Sequence, residues 1–121
     1  MLLDLIIEEG VEEIGAEVFS ECSNLRNVSV PEGLKAVGEA AFYECDSLTA
    51  IDVDANNQYY ASEDGVLLNK TLLIQYPSGK DNQKYVIPDS VTSIGSSAFS
   101  YCSGLTSITI PDSVTSIGEG A

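Results

Sequence analysis

Apolar residues recur along this chain in short alternating runs. Leu25-x-x-Val28-x-Val30, Leu48-x-x-Ile51-x-Val53 and Leu105-x-x-Ile108-x-Ile110 each put three apolar side chains on one face. Alternation of period two predicts a strand, with Leu25, Val28 and Val30 turned inward. Pro31, Pro88 and Pro111 close such runs, because proline has no N–H to give to a ladder. A second short run, Val91-Thr92-Ser93-Ile94, predicts another extended piece that Gly95 turns. Ser96 to Cys102 then reads as one or two helical turns, with Ala98, Phe99 and Cys102 on one face.

These pieces form a unit that repeats. Laying Ile7–Val30 over Val30–Val53 at an offset of 23 residues matches Gly15 to Gly38, Phe19 to Phe42, Cys22 to Cys45, Leu25 to Leu48 and Val28 to Ile51. The template returns at Ile87–Ile110 with Gly95, Phe99, Cys102, Leu105 and Ile108. A further copy starts at Ile110 and agrees with its predecessor at 10 of 12 positions. Residues 1–7 fit the end of an earlier copy, with Leu2, Leu5 and Ile7 in apolar columns. A unit this short cannot close a core alone, so the copies are expected to stack as coils of one solenoid over residues 1–121. Its divisions are partial repeat 1–7, repeats 7–30, 30–53 and 87–110, and partial repeat 110–121.

Residues 54–86 break the period, since Phe42 and Phe99 lie 57 apart, 34 beyond one repeat. Val66–Leu68 and Leu72–Tyr76 are expected as hairpin strands turning at Asn69-Lys70, followed by a Pro77-Ser78-Gly79 turn.

The line IPDSVTSIGSSAFSYCSGLTSITIP resembles the BspA-type leucine-rich repeat of bacterial surface proteins. The segment with NxxY, DGVL, NK and YPSGK resembles a variant repeat of that family, so it belongs to the architecture. The resemblance implies an α/β leucine-rich-repeat solenoid, a right-handed β-α superhelix of short strands and short helical turns with one inserted β-hairpin. It also implies a cell-surface or extracellular location, with any export signal outside these residues, and a role in protein binding or adhesion.

Charge narrows the partners. Nineteen acidic residues against five basic ones give −14, and residues 1–65 alone hold fifteen acids against Arg26 and Lys35. Such a chain repels DNA, RNA and anionic membrane surfaces. No run approaches the roughly 18 apolar residues of a membrane span. Histidine is absent, which removes the usual general base and nucleophile activator. No phosphate-cradling glycine loop is present, and paired carboxylates such as Glu8-Glu9 read as a solvated face. The expectation is a non-enzymatic protein without a cofactor.

Three residue sets remain as candidates. Cys22, Cys45 and Cys102 share one column, match no zinc spacing and read as buried thiols acting as small hydrophobes; a Cys22–Cys45 bridge between stacked coils stays open. Asp52, Asp54, Asn56 and Glu63 fall at positions 1, 3, 5 and 12 of a calcium loop, but Asn57 stands where such a loop needs glycine and no helix flanks it. The reading is therefore no metal, with a calcium-dependent module as a remote alternative. The third set is the outward positions of the strands: Asn27 and Ser29, Ala50 and Asp52, Ser107 and Thr109. They form a small, polar stripe suited to a protein partner, either a host matrix or a bacterial surface protein.

Tyr59, Tyr60 and Tyr76 in the insert are the candidates for an exposed adhesive patch. Without polar capping repeats, the ends of the stack are further expected to self-associate through Ile108, Ile110, Val114 and Ile117. The alternative to binding is a structural spacer carrying other domains.

Overall fold

In the computed structural model, residues 4–38 and 40–121 are described; Leu2, one of the expected inward positions, lies outside them. Twelve strands of two to four residues wind into a β-solenoid of about five turns. One column of strands comes from the L-x-x-V-x-V motif: β1 (Asp4–Ile6), β3 (Asn27–Val30), β5 (Ala50–Val53), and further on β9 (Lys84–Val86) and β11 (Ser107–Thr109). The other holds the strands that precede the Gly turn, β2 (Glu13–Ile14), β4 (Ala36–Val37), β10 (Ser93–Ile94) and β12 (Ser116–Ile117), together with β8 (Leu72–Gln75) of the insert. Pairing between regular coils is parallel with a step of 23, as in Asn27↔Ala50 and Ser93↔Ser116. Each coil thus serves as the crossover that a parallel ladder requires.

The alternation reads out as expected where coils are covered on both sides. Leu25, Val28, Leu48 and Ile51 are fully buried, while Asn27, Ser29 and Asp52 between them face solvent. Ile110, in the same column, is 48 % exposed at the edge of the last full coil.

The expected helical turns are not there: no described residue is helical, so the β-α description gives way to strands joined by tight turns. The physical reason lies in the backbone. Each turn carries two left-handed residues four apart, Glu17 and Glu21, Ala40 and Glu44, Ser97 and Tyr101, all with φ between 58° and 61°. A right-handed helix cannot pass through such residues. Successive i→i+3 bonds, such as Ala98 N–H to Gly95 O and Ser100 N–H to Ser97 O, replace the helical ladder.

The insert is a coil of the stack, wider on one side and narrower on the other. A hairpin of β7 (Val66–Asn69) and β8 forms, but Asn69 pairs with Leu72, so it turns at Lys70-Thr71 and not at the expected Asn69-Lys70, and a second hairpin precedes it. β6 (Ala61–Glu63) pairs antiparallel with β7 through a turn at Asp64-Gly65, both at positive φ. That turn wedges against β5: the Ile51 N–H donates to Gly65 O at 2.9 Å, and a Cβ on Gly65 would lie 3.1 Å from Ala50. β7 is buried on both faces and divides the interior. Leu67 joins the cluster of Leu48, Phe42 and Ile51, whereas Val66 and Leu68 join that of Leu73, Tyr76 and Ile94.

The insert supplies an aromatic residue of its own at the equivalent position. Phe19 stacks on Phe42 at 5.7 Å, and Tyr76 lies 5.4 Å from Phe99, 23 residues before it. The Tyr76 N–H donates to Ala98 O just as the Phe19 N–H donates to Ala41 O. Yet only two residues separate Leu73 from Tyr76, against four between Ile94 and Phe99. The left-handed outward turn is missing from this coil.

Candidate functional site

The strand face is two faces. Asn27 and Ala50 pair in one row of the β1-β3-β5 sheet, and Ser29 and Asp52 in the next, with Ile6 beside them 73 % exposed. Asn27 donates to Asp4 Oδ1 at 3.0 Å. Ser107 and Thr109 lie in the separate β9–β11 sheet, opposite Lys84 and Val86. The wedge of β6 and β7 stands against the β5 edge, so the six residues do not share one sheet.

The tyrosine patch is corrected. Tyr59 is 43 % exposed, but Tyr60 and Tyr76 are buried. Tyr60 turns inward because its hydroxyl accepts the Val37 N–H at 2.8 Å, satisfying a strand edge that has no next strand. Tyr76 is a core residue of the aromatic column. Its hydroxyl and that of Tyr85 are buried without a partner. Burial raises the pKa of both, that of Tyr85 to about 12 with Glu63 and Asp64 nearby.

Asp52, Asp54, Asn56 and Glu63 are all exposed, with Asp52 on β5 and Glu63 on β6. Asp54 Oδ1 accepts the Asn56 N–H at 2.8 Å, an Asx turn. Asn57 is fully used by the fold. Its amide donates to Pro31 O and Leu34 O, and its oxygen accepts from Tyr59 N–H and Tyr60 N–H. No three acidic, Cys or His side chains among the described residues are grouped to hold a metal ion.

The three thiols are free, Cys45 buried and Cys22 and Cys102 half-buried. Cys45 Sγ donates to Phe19 O at 3.0 Å, and Cys102 Sγ approaches Tyr76 O at 3.7 Å in the same register. Burial pushes both thiols from 9 up to about 11, leaving them poor nucleophiles at neutral pH.

One feature escaped sequence reasoning. Where the third coil lacks its outward turn, a cleft opens between β4 and β8, which do not pair. A cavity of about 280 Å³ is floored by Leu72, Ile74 and Gln75 and walled by Val37, Phe42 and Tyr60. Gly38 and Ala40 on one side and Gly95 and Ser96 on the other belong to the turns that flank the gap. Through Ala40 and the Ser96-Ser97 step it continues into a second hollow of about 310 Å³ lined by Glu17 and Tyr43. Tyr43 meets the exposed Tyr101 edge to face at 5.6 Å. The neighbouring Tyr43 hydroxyl and Glu44 carboxylate raise the Tyr101 phenol to about 12. The spacing of two residues between Leu73 and Tyr76 was the signal, readable only once Tyr76 is aligned with Phe99.

A family model described as BspA type Leucine rich repeat region matches residues 1–71 and 78–121, in six copies. Among solved structures, a leucine-rich repeat protein from Eubacterium ventriosum is 29 % identical with a TM-score of 0.80, over 97 % of this chain and 38 % of that one. The pneumococcal vaccine antigen PcpA is 33 % identical with a TM-score of 0.84, over 91 % of this chain and 28 % of its own. A leucine rich cell surface protein from Faecalibacterium prausnitzii is 29 % identical, TM-score 0.75, over 97 % of this chain and 38 % of that one. The chain therefore spans well under half the length of each. No curated protein matches its sequence.

Proposed function

The chain belongs to the BspA-type leucine-rich-repeat family, and on that footing we propose that it is a protein-binding module of a bacterial cell-surface protein. The family and its fold are typically non-enzymatic, and the repeat fold supports an interaction or structural role. Two of the similar structures are described as a cell surface protein and a vaccine antigen, which supports the location.

The observation that carries the reading is the open face of β1-β3-β5. Asn27, Ser29 and Asp52 are exposed there in two rows beside Ile6. Rows at strand spacing offer a partner a flat, mixed polar and apolar surface. The face lacks an aromatic or Arg anchor, so each contact is weak and gains strength by repetition along an array.

The test is retention of purified host matrix proteins and bacterial surface extracts on immobilised chain, compared with an Asn27→Arg, Ser29→Arg double variant. Retention that the variant abolishes supports the proposal. Silence from both favours a spacer, and retention unchanged by the variant would overturn the strand face as the binding surface.

A further inference from the structure

We propose that the cleft at the third coil binds a short protein segment that carries a lysine or arginine next to apolar residues. It rests on the protein-binding reading and extends it to a second surface, whose lining includes neither Asn27 nor Ser29.

The cleft is a product of the coil's own construction. Two residues fewer between Leu73 and Tyr76 leave a hollow between Gly38 and Ala40 on one flank and Gly95 and Ser96 on the other. The floor of Leu72 and Ile74 is half-buried, and the walls of Phe42 and Tyr60 are buried. A hollow of about 280 Å³ lies at the small end of ligand sites and suits one or two side chains.

Charge selects the occupant. Glu17 lines the continuation of the cleft together with Tyr43. The half-buried Tyr43 meets the exposed Tyr101 edge to face, with the Glu44 carboxylate acting on Tyr101. An aromatic face with carboxylates beside it attracts a desolvating ammonium or guanidinium group. A segment enters with its apolar side chains over Leu72 and Ile74 and its cation against Tyr101. An anionic segment meets like charge from the fifteen acids of residues 1–65.

The test is a titration of isotope-labelled chain with acetyl-Leu-Leu-Lys-Lys-amide, followed by amide chemical shifts. The expected result is saturable movement of Gly38, Ala40, Tyr43, Gly95, Ser97 and Tyr101, with acetyl-Leu-Leu-Glu-Glu-amide moving none of them. A Tyr101→Ala variant, changed only at an exposed side chain, is expected to weaken binding about tenfold. The Asn27→Arg, Ser29→Arg variant is expected to bind the peptide as the parent does, which separates this proposal from the strand-face one. No saturable shift, shifts spread evenly over the acids of residues 4–65, or equal binding by the glutamate peptide would each overturn it.

Discussion

Tyr76 lies 5.4 Å from Phe99, exactly one repeat before it, in the column that Phe19 and Phe42 fill in the first two coils. Tyr76 thus takes the aromatic position of its coil although Phe42 lies 34 residues before it. That equivalence makes the insert a member of the stack. Its hydroxyl is the misfit, buried and unpartnered. Tyr76→Phe is expected to hold or raise stability, by up to about 1 kcal/mol, because an unmade hydrogen bond is removed. Tyr76→Ala should cost about 3–5 kcal/mol. Urea midpoints of the two variants check this; a Phe variant as damaged as the Ala variant would mean that the hydroxyl has a partner.

Phe42 is 2 % exposed in the middle of the first cluster, whereas Asp46 faces solvent. Phe42→Ala is expected to cost about 3–5 kcal/mol and Asp46→Ala under about 0.5 kcal/mol. Coincident urea curves would show the inside and outside of the coil to be misassigned.

The turns separate two kinds of backbone demand. Glu17 pays the left-handed penalty at φ 59°, and the same column holds Gly120 in the last coil. Glu17→Gly is expected to stabilise by about 0.5–1 kcal/mol, since the penalty for a residue with a Cβ is removed. Gly38→Ala is expected to do the reverse. A Cβ there would lie 2.2 Å from the Ala16 nitrogen, a backbone atom that cannot swing aside. Its cost should exceed about 2 kcal/mol, at the upper range of overpacking. Thermal melts in which both variants move the same way would contradict the turn geometry.

The repeat columns were legible because stacking makes each coil solve the same packing problem. Phe19, Phe42 and Phe99, like Leu25 and Leu48, meet the same neighbours one coil away and are the same residue for that reason. The helical reading of Ser96–Cys102 failed because apolar spacing carries no information on the sign of φ; Ser97 and Tyr101 are ordinary residues held left-handed by the coils above and below. Asp64-Gly65 did carry a hairpin signal, and it was obscured by reading the segment from Val66 onward. The tyrosines of the insert looked adhesive because composition cannot say that Tyr60 caps the Val37 N–H. The cleft was invisible because it consists of residues that are absent.

Alkaline pH should weaken the fold in a defined window. The Cys45 and Cys102 thiols are held at about 11 against an ordinary 9, and Tyr85 at about 12 against 10, all chiefly by burial. Folding therefore holds these protons more tightly than the unfolded chain does. The stabilisation is complete below pH 9 and is lost as pH rises towards 11 and 12. Urea midpoints should be flat from pH 7 to 9 and fall above it. Native thiol labelling at Cys45 should keep accelerating through pH 10 where a free thiol has levelled off. A midpoint that stays flat to pH 11 would mean these groups are solvated.

Both the divided binding face and the cleft depend on β7 standing as a wall between two cores. Methyl-to-methyl and methyl-to-aromatic nuclear Overhauser contacts test that directly. Leu67 methyls should contact Phe42, Leu48 and Ile51, while Val66 and Leu68 methyls should contact Leu73, Tyr76 and Ile94. Contacts of Leu67 with the Tyr76 group, or of Leu68 with the Phe42 group, would place β7 one residue out of register and contradict the account.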